Sequence, residues 1–302
     1  MCDEIAQAIT RIPAWRTARA VRIAPLAGGL TNRTYRVDVD GEAFVVRLLA
    51  PAAEVLGIDR QRERACALAA SRAGAAPEVV HVAPEAGLMV TRFVPGRTLA
   101  PGEPAAPAVV RRVVAAVRCY HESPPPVPGR FSPLRTTEAY LDAARARGVP
   151  TPGDLPVLTA RLAEVAAVLE SEPRLVPCHN DLWGANLVDD GARVWIVDWE
   201  YAGLGDPYFD LATFAIYHAP GDADDAALLT AYFGGVTPAR MARLKLMRLL
   251  AEMRDATWYL AAQALATSAP DFAARADAHF ARYRRALDDP RLPAWLALAR
   301  DA

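Results

Sequence analysis

The chain has almost no lysine. Lys245 is the only one among its 34 basic residues, so arginine carries nearly all the positive charge, interspersed with 35 acids for a formal net charge of −1. No basic stripe results, and nothing in the composition points to a nucleic-acid partner. The Arg-Arg pairs at 111–112 and 284–285 read as solvated helix faces. Cysteine is equally uninformative as a ligand source. Cys2, Cys66, Cys119 and Cys178 form no CxxC pair and no metal spacing with the five histidines, a usage expected of reduced thiols in a cytoplasmic compartment. No segment approaches the ~18 apolar residues of a membrane helix, and Met1-Cys2-Asp3-Glu4 does not lead into an apolar run. At 302 residues and 53% hydrophobic composition, the chain can bury a core in one or two domains.

What is present divides at one point. Residues 20–23, 34–39 and 44–49 read as strands linked by Gly28-Gly29 and Asp40-Gly41, a β-meander. A helix over about 58–73 ends at Gly74, and short strands follow near 79–82 and 88–93. At Val94-Pro95-Gly96 the texture changes. After a proline-rich stretch at 101–107 the chain is mostly amphipathic helix, crossed by a second proline-dense loop at 123–129. The expected organisation is a β-rich unit, 1–94, and a helical unit, 95–302, of class α+β.

One stretch of the helical unit carries chemistry. His179-Asn180-Asp181-Leu182-Trp183-Gly184-Ala185-Asn186 is followed twelve residues later by Asp198. Between them, 186–188 and 193–197 read as strands around the turn Asp189-Asp190-Gly191, a hairpin that brings Asn186 and Asp198 together. Phosphoryl transfer needs a carboxylate to orient an acceptor hydroxyl and take its proton, a role for Asp181. It also needs oxygen ligands for Mg²⁺, which is held by few protein groups besides substrate phosphates, a role for Asn186 and Asp198. His179 is expected to orient the loop, and Trp195 and Cys178 to pack.

A β unit, a linker and a helical unit bearing this loop is the bilobal arrangement of protein-kinase-like enzymes. His179-Asn180-Asp181, Asp198-Trp199-Glu200-Tyr201 and Gly205-Asp206-Pro207-Tyr208-Phe209-Asp210-Leu211-Ala212 resemble the choline/ethanolamine kinase branch of the aminoglycoside-phosphotransferase-like kinases. The resemblance runs over nearly the whole chain. It implies ATP and Mg²⁺ as cofactors, with Gly28, Gly29, Thr31 and Asn32 in the loop over the nucleotide phosphates. Arg47 matches the cation on the third strand, where most kinases have lysine and this branch often has arginine. Glu63 resembles the helix carboxylate that pairs with it. Backbone groups of Arg92 and Val94 would meet adenine, Asp210 would brace the catalytic loop, and His121 occupies a helix-end packing position.

The acceptor implied is choline, ethanolamine or a similar amino alcohol. A trimethylammonium head is recognised by aromatic faces and a nearby carboxylate. Trp183, Trp199, Glu200, Tyr201 and Trp258 are the expected set, and the 252–258 segment with Gln263, Asp271 and Phe272 is similar to the branch's late helix. Only Trp258 stands between 250 and 266, where the branch usually has two tryptophans. An aminoglycoside or sugar-hydroxyl kinase of the same fold, and a nucleotide-binding regulator without catalysis, are the alternatives. Asp222, Asp224 and Asp225 read as loop acids.

Overall fold

The computed structural model describes residues 2–26, 32–49, 56–100, 102–123, 127–169, 175–263 and 271–301. Gly28, Gly29 and Thr31 lie outside the described residues. After helix α1 (Cys2–Thr10), strands β1 (Val21–Leu26), β2 (Arg33–Val39) and β3 (Glu42–Leu48) form the expected meander. Helix α2 (Arg60–Ala73) and strands β4 (Val79–Ala83) and β5 (Leu88–Arg92) complete an antiparallel sheet of order β1-β2-β3-β5-β4.

Strand alternation decides what each face of this sheet does. Tyr35, Val37 and Val39 of β2 and Phe44, Val46 and Leu48 of β3 point one way, onto Ile5, Ile12 and Trp15. The opposite face of β3 carries Arg47 toward α2. The sequence reading missed α1, whose isoleucines cover the apolar face. Helix α2 begins where Asp59 accepts the N–H groups of Gln61 and Arg62, and ends at Gly74, whose φ of 77° needs a residue without a Cβ penalty.

The chain then adds β6 (Arg97–Thr98), α3 (Pro107–His121), α4 (Pro133–Arg145) and α5 (Leu155–Leu169) before the short strands β7 (Val176–Cys178), β8 (Leu187–Asp189), β9 (Val194–Ile196) and β10 (Gly203–Gly205). Helices α6 (Pro207–His218), α7 (Asp222–Phe233), α8 (Pro238–Gln263), α9 (Phe272–Leu287) and α10 (Leu292–Leu298) follow. Helix α8 is the axis of this unit, packed by α4, α6 and α9 and buried along most of its length. The class is α+β, as expected.

Two expectations about charge need correcting. Arg112 is no solvated residue, because it grips Asp189 at 2.6 Å and ties α3 to β8. Arg284 and Arg285 do lie on a solvated face, where Arg284 makes an exposed ion pair with Asp154. Asp222, Asp224 and Asp225 form the first turn of α7, not a loop. Asp225 is fully buried and held by Lys245 at 2.6 Å and Arg248 at 2.6 Å, because a charge out of water needs a partner. Among the described residues, no helix is long and apolar enough to cross a membrane.

Candidate active site

The loop from His179 to Asn186 leaves β7, which pairs antiparallel with β10. Its return is the β8–β9 hairpin, with Leu187 opposite Ile196 and the N–H of Val197 donating to the Asn186 carbonyl at 2.9 Å. That ladder sets Asn186 beside the strand end that bears Asp198. Asn180 and Asp198 hold φ of 64° and 67°, a left-handed conformation that Asn and Asp tolerate better than other side chains bearing a Cβ. Trp195 is not core. It faces outward on the hairpin, half-buried, with Asp190 accepting its indole N–H and the Arg193 guanidinium 4.0 Å from its ring centre.

Asp210, in the first turn of α6, braces the loop from beneath. Its two oxygens accept the backbone N–H groups of His179 at 2.8 Å and Asn180 at 2.6 Å, and one also meets His121 Nε2 at 2.9 Å. Burial would raise this carboxyl, but the His121 hydrogen bond, the nearby histidines and the His179 N–H outweigh it and hold it below the usual range. The His179 ring meets the Val197 carbonyl through Nε2 at 3.0 Å and accepts the Asp181 N–H at Nδ1, which fixes the tautomer and spans the loop. Gly184 is required by space: a Cβ there would stand 2.3 Å from the Leu99 carbonyl oxygen.

Asp181 has both oxygens engaged. Oδ2 accepts from Asn186 Nδ2 at 2.9 Å, and Oδ1 accepts from Arg254 through NH1 at 3.0 Å and NH2 at 3.1 Å. Arg254 comes from α8 and also reaches the Asn180 carbonyl. Its other neighbour is Asp255, at 3.0 Å, which accepts the Tyr217 hydroxyl at 2.6 Å. Burial raises the Asp181 carboxyl above the usual range, and Arg254 works against that rise.

On the sheet side a second cluster gathers. Arg47 meets Glu63 at 3.0 Å and Asp198 at 2.5 Å, as expected for the β3 cation and its helix partner, and Glu200 lies 3.7 Å away. Arg60 adds a second guanidinium, 2.7 Å from Glu63 and 3.2 Å from Glu200, and Asn32 Nδ2 donates to Glu200 at 2.9 Å. Three carboxylates face two guanidiniums. Burial, then Asp198, pushes the Glu200 carboxyl up to about 8 despite Arg47, with Glu63 adding to the rise, so a proton on Glu200 brings the cluster to neutrality.

Oxygens of Glu63, Asp198 and Glu200 approach within 4.8 Å of one another. Asn186 has turned its amide nitrogen to Asp181, which leaves its side-chain oxygen for a cation. Asp198 keeps a carboxylate that is 28% exposed. A buried amide and a partly exposed carboxylate, carried by paired strands of one hairpin, are the oxygen types that suit a hard divalent cation such as Mg²⁺.

The expected acceptor set is not brought together. Trp199 is buried under the loop, edge-on to Tyr120 at 4.5 Å and to His179 at 4.7 Å, with its indole N–H on the Ile196 carbonyl. Glu200 belongs to the Arg47 cluster. Asp198 is left-handed, with φ 67°, and the chain then turns, the Ala202 N–H donating to the Trp199 carbonyl at 3.1 Å, so neighbours in sequence leave in different directions. Tyr201 and Trp258 do meet, Trp258 Nε1 donating to the Tyr201 hydroxyl at 2.7 Å, but both are buried. Trp183 is half-buried with Tyr217 beside it at 6.4 Å. Sequence reasoning missed Arg60, Tyr217, Arg254 and Asp255. The N–H of Arg92 is committed to the Glu78 carbonyl at 2.9 Å, and its side chain to Glu42 and Glu78.

This fold and site define a class. Residues 22–245 match the phosphotransferase enzyme family, and the chain belongs to that family. Within it the chain belongs with the choline/ethanolamine kinases: a choline/ethanolamine kinase family protein from Mesorhizobium loti is 31% identical with a TM-score of 0.84, over 100% of this chain and 99% of that one. Protein LicA of Haemophilus influenzae is 28% identical over 193 residues, 62% of this chain, and the match spans only 55% of that protein. Choline kinase LicA from Streptococcus pneumoniae shares the fold, with a TM-score of 0.74 at 18% identity over 97% of this chain and 99% of that one.

Proposed function

We propose that this chain is an ATP-dependent small-molecule kinase that transfers the γ-phosphate to the hydroxyl of choline, ethanolamine or a similar amino alcohol. The observation that carries the reading is the unbroken run of contacts from Asp181 to Asn186, across the hairpin to Asp198, and on to Arg47 and Glu63. In this reading that path would carry a proton acceptor, cation ligands and a phosphate-binding guanidinium, the parts in-line phosphoryl transfer requires.

In this reading ATP lies between the unit of residues 1–94 and that of 95–302. Adenine offers an N–H₂ donor beside a ring-nitrogen acceptor, complementary to the carbonyl of Arg92 and the N–H of Val94. Arg47 holds phosphate oxygens, with Asn32 and the Gly28-Gly29-Leu30-Thr31 segment as further donors. Asn186 and Asp198 would hold Mg²⁺, which when bound neutralises charge on the phosphates.

Asp181 orients the acceptor hydroxyl and takes its proton as that oxygen bonds to the γ-phosphorus. The bond from phosphorus to the bridging oxygen breaks, and ADP leaves. His179 and Asp210 position the loop without touching the reacting atoms. For the acceptor's amine we favour the faces of Trp183 and Tyr217 with the carboxylate of Asp255, in place of Trp199 and Glu200.

The test is ADP release from purified protein and Mg-ATP with choline, ethanolamine, aminoglycosides and sugars, with Asp181→Asn as control. Turnover with the amino alcohols that vanishes in the variant supports the reading. Preference for an aminoglycoside or sugar refutes the acceptor class, and bound ATP without acceptor-dependent turnover refutes catalysis.

A further inference from the structure

Behind the loop, on the side of Asp210 away from Asp181, lies a cavity of about 400 Å³ between the ends of α3, α6, α7 and α8. That volume falls in the range of small-molecule sites. The proposed reaction does not use it.

Its walls have a definite chemistry. Tyr208 and Phe233 stack at 5.0 Å with an interplanar angle of 29° and make an aromatic wall. Arg240 lies over Phe233 at 4.9 Å, and Arg243 over Tyr208 at 5.5 Å. The charges are unequal. Arg118 is neutralised by Glu122 at 2.7 Å, and Arg243 by Asp206. Arg240 donates to the Gly235 carbonyl at 2.9 Å but has no carboxylate partner among the described residues. The lining therefore carries one uncompensated guanidinium, half-buried and laid on a ring.

The remaining wall links the cavity to the loop. His121 lines it, accepts or donates at 2.6 Å with Tyr232, and through its other nitrogen meets Asp210. Asp210 in turn holds the N–H groups of His179 and Asn180. One imidazole is shared between the cavity and the brace of the loop.

We propose that this cavity binds a small aromatic monoanion, an aryl carboxylate, and that its occupancy is transmitted to the loop through His121 and Asp210. The ligand's ring packs against the edges of the Tyr208–Phe233 pair, and its carboxylate pairs with Arg240, which has no carboxylate partner among the described residues. A ligand that favours one placement of the His121 ring shifts the brace by its preference for that placement, and by no more.

The test uses the full chain and 2-naphthoate as probe, followed by calorimetry with and without saturating ATP. Expected is one site that ATP does not displace. Arg240→Gln weakens it about tenfold, and the neutral 2-naphthylmethanol binds about tenfold more weakly than the acid. Phe233→Leu keeps the charge, removes the ring and weakens binding about threefold, so the result does not hang on one variant; thermal unfolding checks both. Transmission is read by hydrogen exchange of the 176–186 peptide, which slows on binding. Displacement by ATP, equal affinity of the neutral probe, an indifferent Arg240→Gln or no binding at millimolar probe overturns the site. Binding with unchanged exchange overturns the transmission.

Discussion

Arg254 holds one oxygen of Asp181 through both terminal nitrogens, at 3.0 and 3.1 Å, from a helix that starts far beyond the loop in sequence. The carboxylate proposed to take the acceptor's proton thus meets, inside a buried site, a cation that no local pattern announces and that favours its ionised form. Burial raises its pKa, and Arg254 opposes that rise.

Arg254→Gln removes the opposing charge, so the Asp181 carboxyl rises further. Because the base must be ionised, activity falls as pH drops through its pKa, and the acid limb of kcat/KM against pH should move upward by about 1–3 units. Arg254→Lys should restore part of the shift. A limb that stays in place in Arg254→Gln would remove Arg254 from this role.

Asp210→Asn keeps the shape but turns an amide toward two backbone donors. Urea unfolding should show a loss of about 1–3 kcal/mol at neutral pH. The sign with pH follows from a folded pKa below the unfolded value of about 3.9: the native carboxylate's stabilisation is present above that value and is lost as pH falls through the folded pKa. The wild type should lose this increment in acid, and the variant should have none to lose.

Arg47→Met leaves Glu63, whose side chain is 0% exposed, with Arg60 as its remaining cation, and should destabilise the fold by about 1–3 kcal/mol in thermal or urea unfolding. Adding Glu63→Gln should recover part of it. Recovery by the double variant, and not the size of the single loss, is the deciding measurement.

Glu200 gives the opposite pH sign. Its folded pKa, about 8, stands above an unfolded value of about 4.3. The native state therefore binds the extra proton, and wild-type stability declines as pH rises between those values. Glu200→Gln removes the decline, so its unfolding midpoint should overtake that of wild type near the alkaline end. Parallel curves for the two proteins would show Glu200 ionised throughout.

The loop and the hairpin were legible because each is specified within a few residues or by strand register, whereas the Arg47–Glu63 pair followed from the family resemblance alone. Asn186 and Asp198 are an example, since one turn at Asp190-Gly191 fixes their meeting. Arg254 and Tyr217 were not legible: the helical period tells that α8 and α6 are buried, not which residue of a helix buried on all sides faces Asp181. Trp199 and Glu200 were misplaced for a simpler reason. A run of aromatic and acidic residues after Asp198 looks like one surface on paper, while the backbone sends Trp199 into the core and Glu200 toward the sheet. Trp195 failed because a large ring can also be held flat on the outside by an arginine.

The three-sided hold on the 179–186 loop, by Asp210 from α6, Arg254 from α8 and the Val197 carbonyl after β9, has a kinetic meaning. All three holds come from the chain itself, so the ordering entropy of the loop is met once, during folding, and not in each turnover. The activation entropy of phosphoryl transfer should then reflect the capture and alignment of the two substrates, and loosening any one hold should show first as a more negative activation entropy.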